Sequence, residues 1–314
     1  MGAARALPGD ERLNALLRES GTPQRLTARF GAEVQPWLDA LPAVLRAAFG
    51  RWELAWDAVI PHGTMAVVVR CTLADGRPAV LKASPDRARL AHEAAALRSW
   101  RTPHAPALLA LDEEAGAMLI EAIEPGIQLA ESGSYPHART VAELLSALYE
   151  TSTPSPSFPS LEERVAYLFE SGMIPYRRRP ELVEVVPLDL YRRGRTLATR
   201  LLEAVRPTAV LHGDLTPRNI LDGGPARGLV AIDPAPCLGD DVAFDAVDLL
   251  LWQADDVETI EARAVQLARV AAIDAERLVG WCVSFAAMTA LEHAESEDVP
   301  LERLATYLAL ANRA

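Results

Sequence analysis

The sequence predicts an α+β chain: a five-stranded antiparallel sheet with one main helix, extra helices ahead of it, and a mainly helical remainder. Three observations predict this class. Short stretches with apolar residues at every second position cluster between residues 52 and 120, the chain from about 138 onwards repeats its apolar residues at helical spacing, and one helical pattern, 86–100, interrupts the strands.

Residues 10 to 50 read as helical, with a pair around Glu11–Leu17 and Val34–Phe49 that Pro36 and Pro42 interrupt. Trp52–Ile60 and Met65–Cys71 alternate as strands, and Ala79–Leu81 gives a third after the turn Ala74-Asp75-Gly76. Leu90, Leu97 and Trp100 then recur at helical spacing. Ala107–Leu111 and Ala117–Ile120 flank the acidic turn Asp112–Gly116 and make strands four and five. Thr151–Pro159 is a Pro/Ser-rich linker. Leu161–Glu170, Leu188–Val205, Ala243–Trp252 and segments near 256–271, 274–295 and 300–312 supply the helices. The division into parts is expected at 1–122 and 123–314.

One lysine occurs in the chain, Lys82, at the end of the run Arg77-Pro-Ala-Val80-Leu81-Lys82. A coding bias towards Ala and Arg leaves few lysines anyway. A compact ammonium on a flexible stem nevertheless does a point-charge task that a forked guanidinium does not. Eleven residues on, Glu93 falls about two turns into the helix, either as a solvated acid or as the partner of Lys82.

The densest chemistry lies in Val-Leu-His212-Gly213-Asp214-Leu-Thr-Pro-Arg218-Asn219-Ile220-Leu221, followed after a hairpin by Leu-Val-Ala-Ile232-Asp233-Pro234. A carboxylate, an amide five residues later and a second carboxylate form the inventory of phosphoryl transfer. One group orients the attacking hydroxyl, and the other two hold Mg²⁺ on the phosphates. Each has a plainer reading: Asp214 as a turn cap, Asn219 as a loop residue, Asp245 as an N-cap. His212 reads as a buried prop for the loop.

His-Gly-Asp-x-x-x-x-Asn with a downstream Ile-Asp resembles the antibiotic phosphotransferases that share the bilobal protein-kinase-like fold. Val34–Pro42, Val80-Leu-Lys82, Leu211–Asp214 and Ile232-Asp-Pro234 match in order, and the chain is similar to the streptomycin 6-phosphotransferase and hydroxyurea phosphotransferase branch of the aminoglycoside phosphotransferases. Arg218 departs from the pattern, which often has a small or neutral residue there, and Asp240-Asp241 lies where members vary.

The resemblance implies ATP (or GTP) and Mg²⁺ as cofactors, with Asp214 catalytic and Asn219 and Asp233 on the metal. It implies that Lys82, held by Glu93, contacts the phosphates, that a loop containing Gly63 covers them, and that main-chain groups of Glu121 and Ile123 bond the adenine edge. The usual Gly-x-Gly-x-x-Gly signature is absent. Asp245 would brace the catalytic loop. The acceptor would be a streptomycin-type aminoglycoside or hydroxyurea, with a metabolite kinase or a nucleotide-binding pseudokinase as alternatives. Acids of the helical part, Asp240, Asp241, Asp255, Asp256, Glu292 and Glu295, are candidates to bind a cationic acceptor, or solvated surface acids.

Composition sets outer limits. With 31 Lys and Arg against 43 Asp and Glu the net charge is −12, which argues against a nucleic-acid partner. Cys71, Cys237 and Cys282 are widely spaced and read as reduced thiols. No apolar signal or membrane-spanning run is evident, so a cytoplasmic protein, monomer or weak homodimer, acting on a small molecule is expected.

Overall fold

The computed structural model describes residues 6–61, 63, 65–295 and 301–314. The chain forms two compact units, Met1–Arg98 with Pro106–Glu124, and Ser99–Ala105 with Pro125–Ala314. The short stretch 99–105 thus belongs with the second unit, although it falls inside the range 1–122. His104 Nδ1 bonds the Leu229 carbonyl at 2.7 Å, and Arg227 donates to the carbonyls of Pro103 and Ala105, which ties the stretch there.

The first unit opens with helices α1 (Asp10–Glu19), α2 (Thr22–Phe30) and α3 (Gln35–Arg51). Between the two expected helices lies a third, α2, delimited by glycines on either side: Gly21 at φ 69° precedes it and Gly31 at φ 78° ends it. Pro36 and Pro42 do not interrupt α3. Pro36 lies in the first turn, where a missing N–H leaves no bond unmade, and Pro42 is carried inside the helix beside buried Leu38, Leu41 and Leu45.

Strands β1 (Ala55–Ile60), β2 (Val67–Thr72), β3 (Pro78–Ala83), β4 (Leu108–Asp112) and β5 (Ala117–Glu121) form one antiparallel sheet in the order β1-β2-β3-β5-β4. Helix α4 (Arg87–Ser99) connects β3 to β4. Val67, Val69, Cys71, Leu81 and Leu119 share a core with Leu13, Leu26, Leu41, Leu45 and Phe49 of the N-terminal helices. Strand residues alternate faces, so Lys82, next to Leu81, points away from that helical layer and meets Glu93 of α4.

In the second unit come α5 (Leu129–Ser132), α6 (Ala138–Thr151), α7 (Leu161–Ser171), α8 (Ile174–Arg178), α9 (Leu182–Val185) and α10 (Leu188–Leu202). Four short strands follow, β6 (Val210–Leu211), β7 (Ile220–Asp222), β8 (Leu229–Ala231) and β9 (Cys237–Leu238), in two antiparallel pairs, β6–β9 and β7–β8. The chain ends with α11 (Val247–Leu251), α12 (Val257–Ala271), α13 (Ala275–Glu295) and α14 (Leu301–Ala311). Helix α11 is shorter than the 243–252 pattern suggests, because Asp245 is drawn onto the loop after β6 and leaves Ala246 as N-cap with no side-chain bond. Trp281, Phe285 and Leu291 bury α13 in the middle of this unit. Among the described residues no helix is long and apolar enough to cross a membrane.

Candidate active site

In the first unit Lys82 and Glu93 are 5% and 6% exposed and form an ion pair. The β3 register places Lys82 between Val68 and Met118, so its stem is walled by apolar side chains while its charge meets the carboxylate. Removing one partner of such a buried pair is costly, because the remaining charge loses the opposite charge that faces it. Gly63 lies in the turn after β1. A Cβ there would meet the Ala66 carbonyl at 2.4 Å, and its own carbonyl accepts from Arg25 Nε at 3.0 Å. His62 and Thr64 of the same turn lie outside the described residues. Glu121 ends β5 with its N–H donated to Ala107 O at 2.9 Å, and Ile123 follows as a buried residue.

In the second unit a dense network fixes the loop after β6. The buried Asp245 carboxylate accepts from His212 N–H at 2.7 Å and from Gly213 N–H at 2.8 Å. Burial raises the Asp245 carboxyl to about 6, against the opposing pull of these two bonds. His212 is fully buried and stacks on Trp100 at 5.9 Å. Burial lowers it to about 4, so the ring is neutral near pH 7. Its Nδ1 accepts from Asp214 N–H at 3.3 Å, which puts the ring proton on Nε2, facing Ile232 O at 3.0 Å. Gly213 runs at φ 75°, and a Cβ there would stand 2.0 Å from Ala235 O. That contact is why glycine stands before Asp214.

Asn219 Nδ2 donates to Asp214 O at 2.9 Å and to Asp214 Oδ2 at 3.1 Å. With both amide hydrogens directed at Asp214, the amide oxygen is turned elsewhere. The β7–β8 register pairs Ile220 with Ala231, and Ile232 N–H bonds Asn219 O at 2.8 Å, so Asp233 comes next to Asn219 across the hairpin. Asp233 adopts φ 57°, a left-handed backbone that few residues other than glycine hold, and such positions concentrate at functional sites. One amide oxygen and one carboxylate make a hard, oxygen-only donor pair suited to Mg²⁺ that keeps other ligands from phosphate and water.

Asp214, Asp245, Asp248 and Glu292 line one cavity of ≈140 Å³, with Leu168, Phe285 and Met288 as apolar wall. Phe285, Met288 and Glu292 follow one another at three and four residues on α13, so they share its face. Asp248 is solvent-exposed at the cavity, and the protein around it, then the nearby Asp214, raises it to about 6. Glu292 is likewise solvent-exposed, and the protein around it, then Asp248 and Asp214, raises it to about 7. Glu295 sits one turn beyond Glu292 and adds to that repulsion.

The geometry does not bring Asp240 and Asp241 to Asp214. They line a separate hollow of ≈530 Å³. The Asp241 carboxylate is buried against Trp281 Nε1 and Arg277, the latter at 2.6 Å, and Asp240 accepts from Arg206 N–H at 2.9 Å. Asp256 caps α12 through Thr259 N–H, and Asp255 pairs with Arg303 at 3.4 Å. Arg218 is exposed on the 3₁₀ turn Pro217–Asn219.

Two residues of the site escaped the sequence reading. Asp248 follows Asp245 by one helical turn, and Arg164 interrupts the apolar stripe Leu161, Val165, Phe169 of α7. A charged residue on a buried stripe is the signal that marks Arg164.

The family model for aminoglycoside/hydroxyurea antibiotic resistance kinases matches residues 51–297. Streptomycin 6-kinase of Streptomyces griseus is 32% identical over 270 residues, covering 81% of this chain and 83% of that protein. Hydroxyurea phosphotransferase of Kitasatospora aureofaciens is 29% identical over 315 residues, covering 96% and 88%. The fold is that of the choline kinase LicA from Streptococcus pneumoniae, with a TM-score of 0.58 at 15% identity over 87% of this chain and 99% of that one. Matched from the first strand to the end of α13, the chain belongs to the aminoglycoside/hydroxyurea antibiotic resistance kinases and is a phosphotransferase.

Proposed function

We propose that the chain transfers the γ-phosphoryl group of ATP to a hydroxyl of a cationic, streptomycin-type aminoglycoside and so inactivates it. The observation that carries this reading is the cavity beside Asp214, where Asp248 and Glu292 stand against an apolar wall. Carboxylates facing a small cavity favour guanidinium or ammonium groups, whose binding also relieves the repulsion that raises these acids. Hydroxyurea is neutral and gains nothing from them.

In this reading Asp214 orients the acceptor hydroxyl and takes its proton late, as a loose phosphoryl-transfer transition state requires. Asn219 Oδ1 and Asp233 would hold Mg²⁺, which when bound would neutralise phosphate charge. Lys82, fixed by Glu93, positions the α- and β-phosphates. The Gly63 turn covers the phosphates, and main-chain groups of Glu121 and Ile123 meet the adenine edge. Dependence on ATP puts the reaction in the cytoplasm.

The test is Mg²⁺-dependent ADP release by the purified protein with streptomycin, other aminoglycosides, hydroxyurea and neutral sugars. Stimulation by streptomycin well above hydroxyurea is expected. Stimulation by hydroxyurea or a neutral sugar alone would refute the cationic acceptor.

A further inference from the structure

We infer that Arg164 is a positioning residue for phosphoryl transfer, holding the Asp214 carboxylate in its working orientation. This assignment rests on Asp214 being the acceptor-facing carboxylate of the reaction proposed above. Arg164 is only 9% exposed, and its guanidinium forks onto two successive points of the catalytic loop. Nε donates to Gly213 O at 2.8 Å and Nη2 to Asp214 Oδ1 at 3.3 Å. Asn219 holds the other carboxylate oxygen, Oδ2, so the carboxylate is gripped from both sides. Neither χ1 nor the plane of the carboxylate can then turn without breaking a bond.

Helix α7 is built to deliver this side chain. Its first turn carries a complete capping box between Ser160 and Glu163. Leu238 N–H bonds Pro159 O at 2.8 Å, anchoring the start of the helix to β9, the strand paired with the one that leads into the loop. Tyr167, one turn on, lies with its ring 5.6 Å from the guanidinium carbon.

Charge gives the arginine a second reason to be there. Asp214, Asp245, Asp248 and Glu292 face one cavity, and Asp233 and the neutral His212 flank the loop. Arg164 is the cation that opposes the repulsion on Asp245 and Asp248. Lysine would return the charge but could not span both acceptors.

The experiment compares steady-state kinetics of wild type, R164K and R164M in the full chain, with ATP and streptomycin. A misdirected reactive group costs roughly 10–100-fold in rate. R164M is expected to lose that much in kcat with KM for ATP within about twofold, and R164K to recover part of the loss. Wild-type kcat in R164M overturns the inference. So does a loss in kcat that active-site titration assigns wholly to unfolded protein. If R164M does not fold, R164K decides alone: kcat must fall while KM for ATP holds, and an unchanged kcat refutes the role. A thermal-stability cycle of R164K, D214N and the double variant needs no turnover. Coupling between the two is expected, and additivity overturns the inference whatever the activity. Wild type with no turnover on any acceptor, despite coupling, instead removes the functional reading and the catalytic role with it.

Discussion

Asn219 directs both hydrogens of its side-chain amide at Asp214, one to the backbone carbonyl at 2.9 Å and one to Oδ2 at 3.1 Å. The five-residue spacing therefore does two things at once: it closes the loop on itself and leaves the amide oxygen available to a cation. Asn219→Asp keeps an oxygen ligand but replaces the donor with a second carboxylate against Asp214. Turnover is expected to fall by about 10²-fold or more through lost loop geometry, even at saturating Mg²⁺. Full recovery of kcat at high Mg²⁺ would show that only metal affinity had changed.

Gly213 is the tightest point of that loop. Gly213→Ala puts a methyl group 2.0 Å from the Ala235 carbonyl at a φ of 75°. The left-handed backbone alone costs an alanine about 1–2 kcal/mol, and the clash adds to it. Denaturant titration should show a loss above about 2 kcal/mol, together with loss of activity. A stable, active variant would mean the backbone can relax at no cost.

Lys82 and Glu93 form a buried pair that the sole lysine of the chain makes possible. Lys82→Met should reduce kcat/KM for ATP by about 10²–10³-fold, the range for removing one preorganised charge contact. Glu93→Gln should cost about 3–5 kcal/mol of stability as well, because the buried ammonium loses the carboxylate charge that faces it. Thermal melts alongside nucleotide titrations separate the two effects.

The cavity acids set a pH dependence. Asp248 is raised to about 6 and Glu292 to about 7 by the surrounding protein and the neighbouring carboxylates, although both side chains reach solvent. KM for a cationic acceptor should therefore fall as pH rises from about 6 to about 7, while KM for ATP does not follow the same curve. The sign for stability is opposite. Acids whose folded values lie above the unfolded ones lose stability as pH rises, here from about 4 to about 7. Water screens these exposed groups, so Glu292→Gln should raise the melting temperature only slightly at pH 8 and not at pH 4, and should weaken acceptor binding. An unchanged KM for a cationic acceptor in Glu292→Gln would remove Glu292 from the acceptor site.

Much of this site was legible in the sequence because its contacts are local. Lys82 and Glu93 lie eleven residues apart across one turn. Asp214, Asn219 and Asp233 are joined by a 3₁₀ turn and a hairpin. The sheet was legible too, since apolar alternation survives in each strand. What the sequence concealed is non-local. Arg164 reaches Asp214 across 50 positions, and Asp241 meets Trp281 across 40. Without those pairings Asp240-Asp241 reads as an acceptor site, and the place of Arg164 on an apolar stripe does not say which group it meets. Pro42 misleads for a similar reason, because the packing of α3 against the sheet overrides its local preference.

The most direct test of the central claim is mass spectrometry of streptomycin after incubation with ATP, Mg²⁺ and the wild-type protein or Asp214→Asn. The account predicts one added phosphoryl group per streptomycin with wild type, slowed about 10²–10⁴-fold in the variant. Equal phosphorylation by both proteins, or none by wild type while ATP still binds, would contradict it.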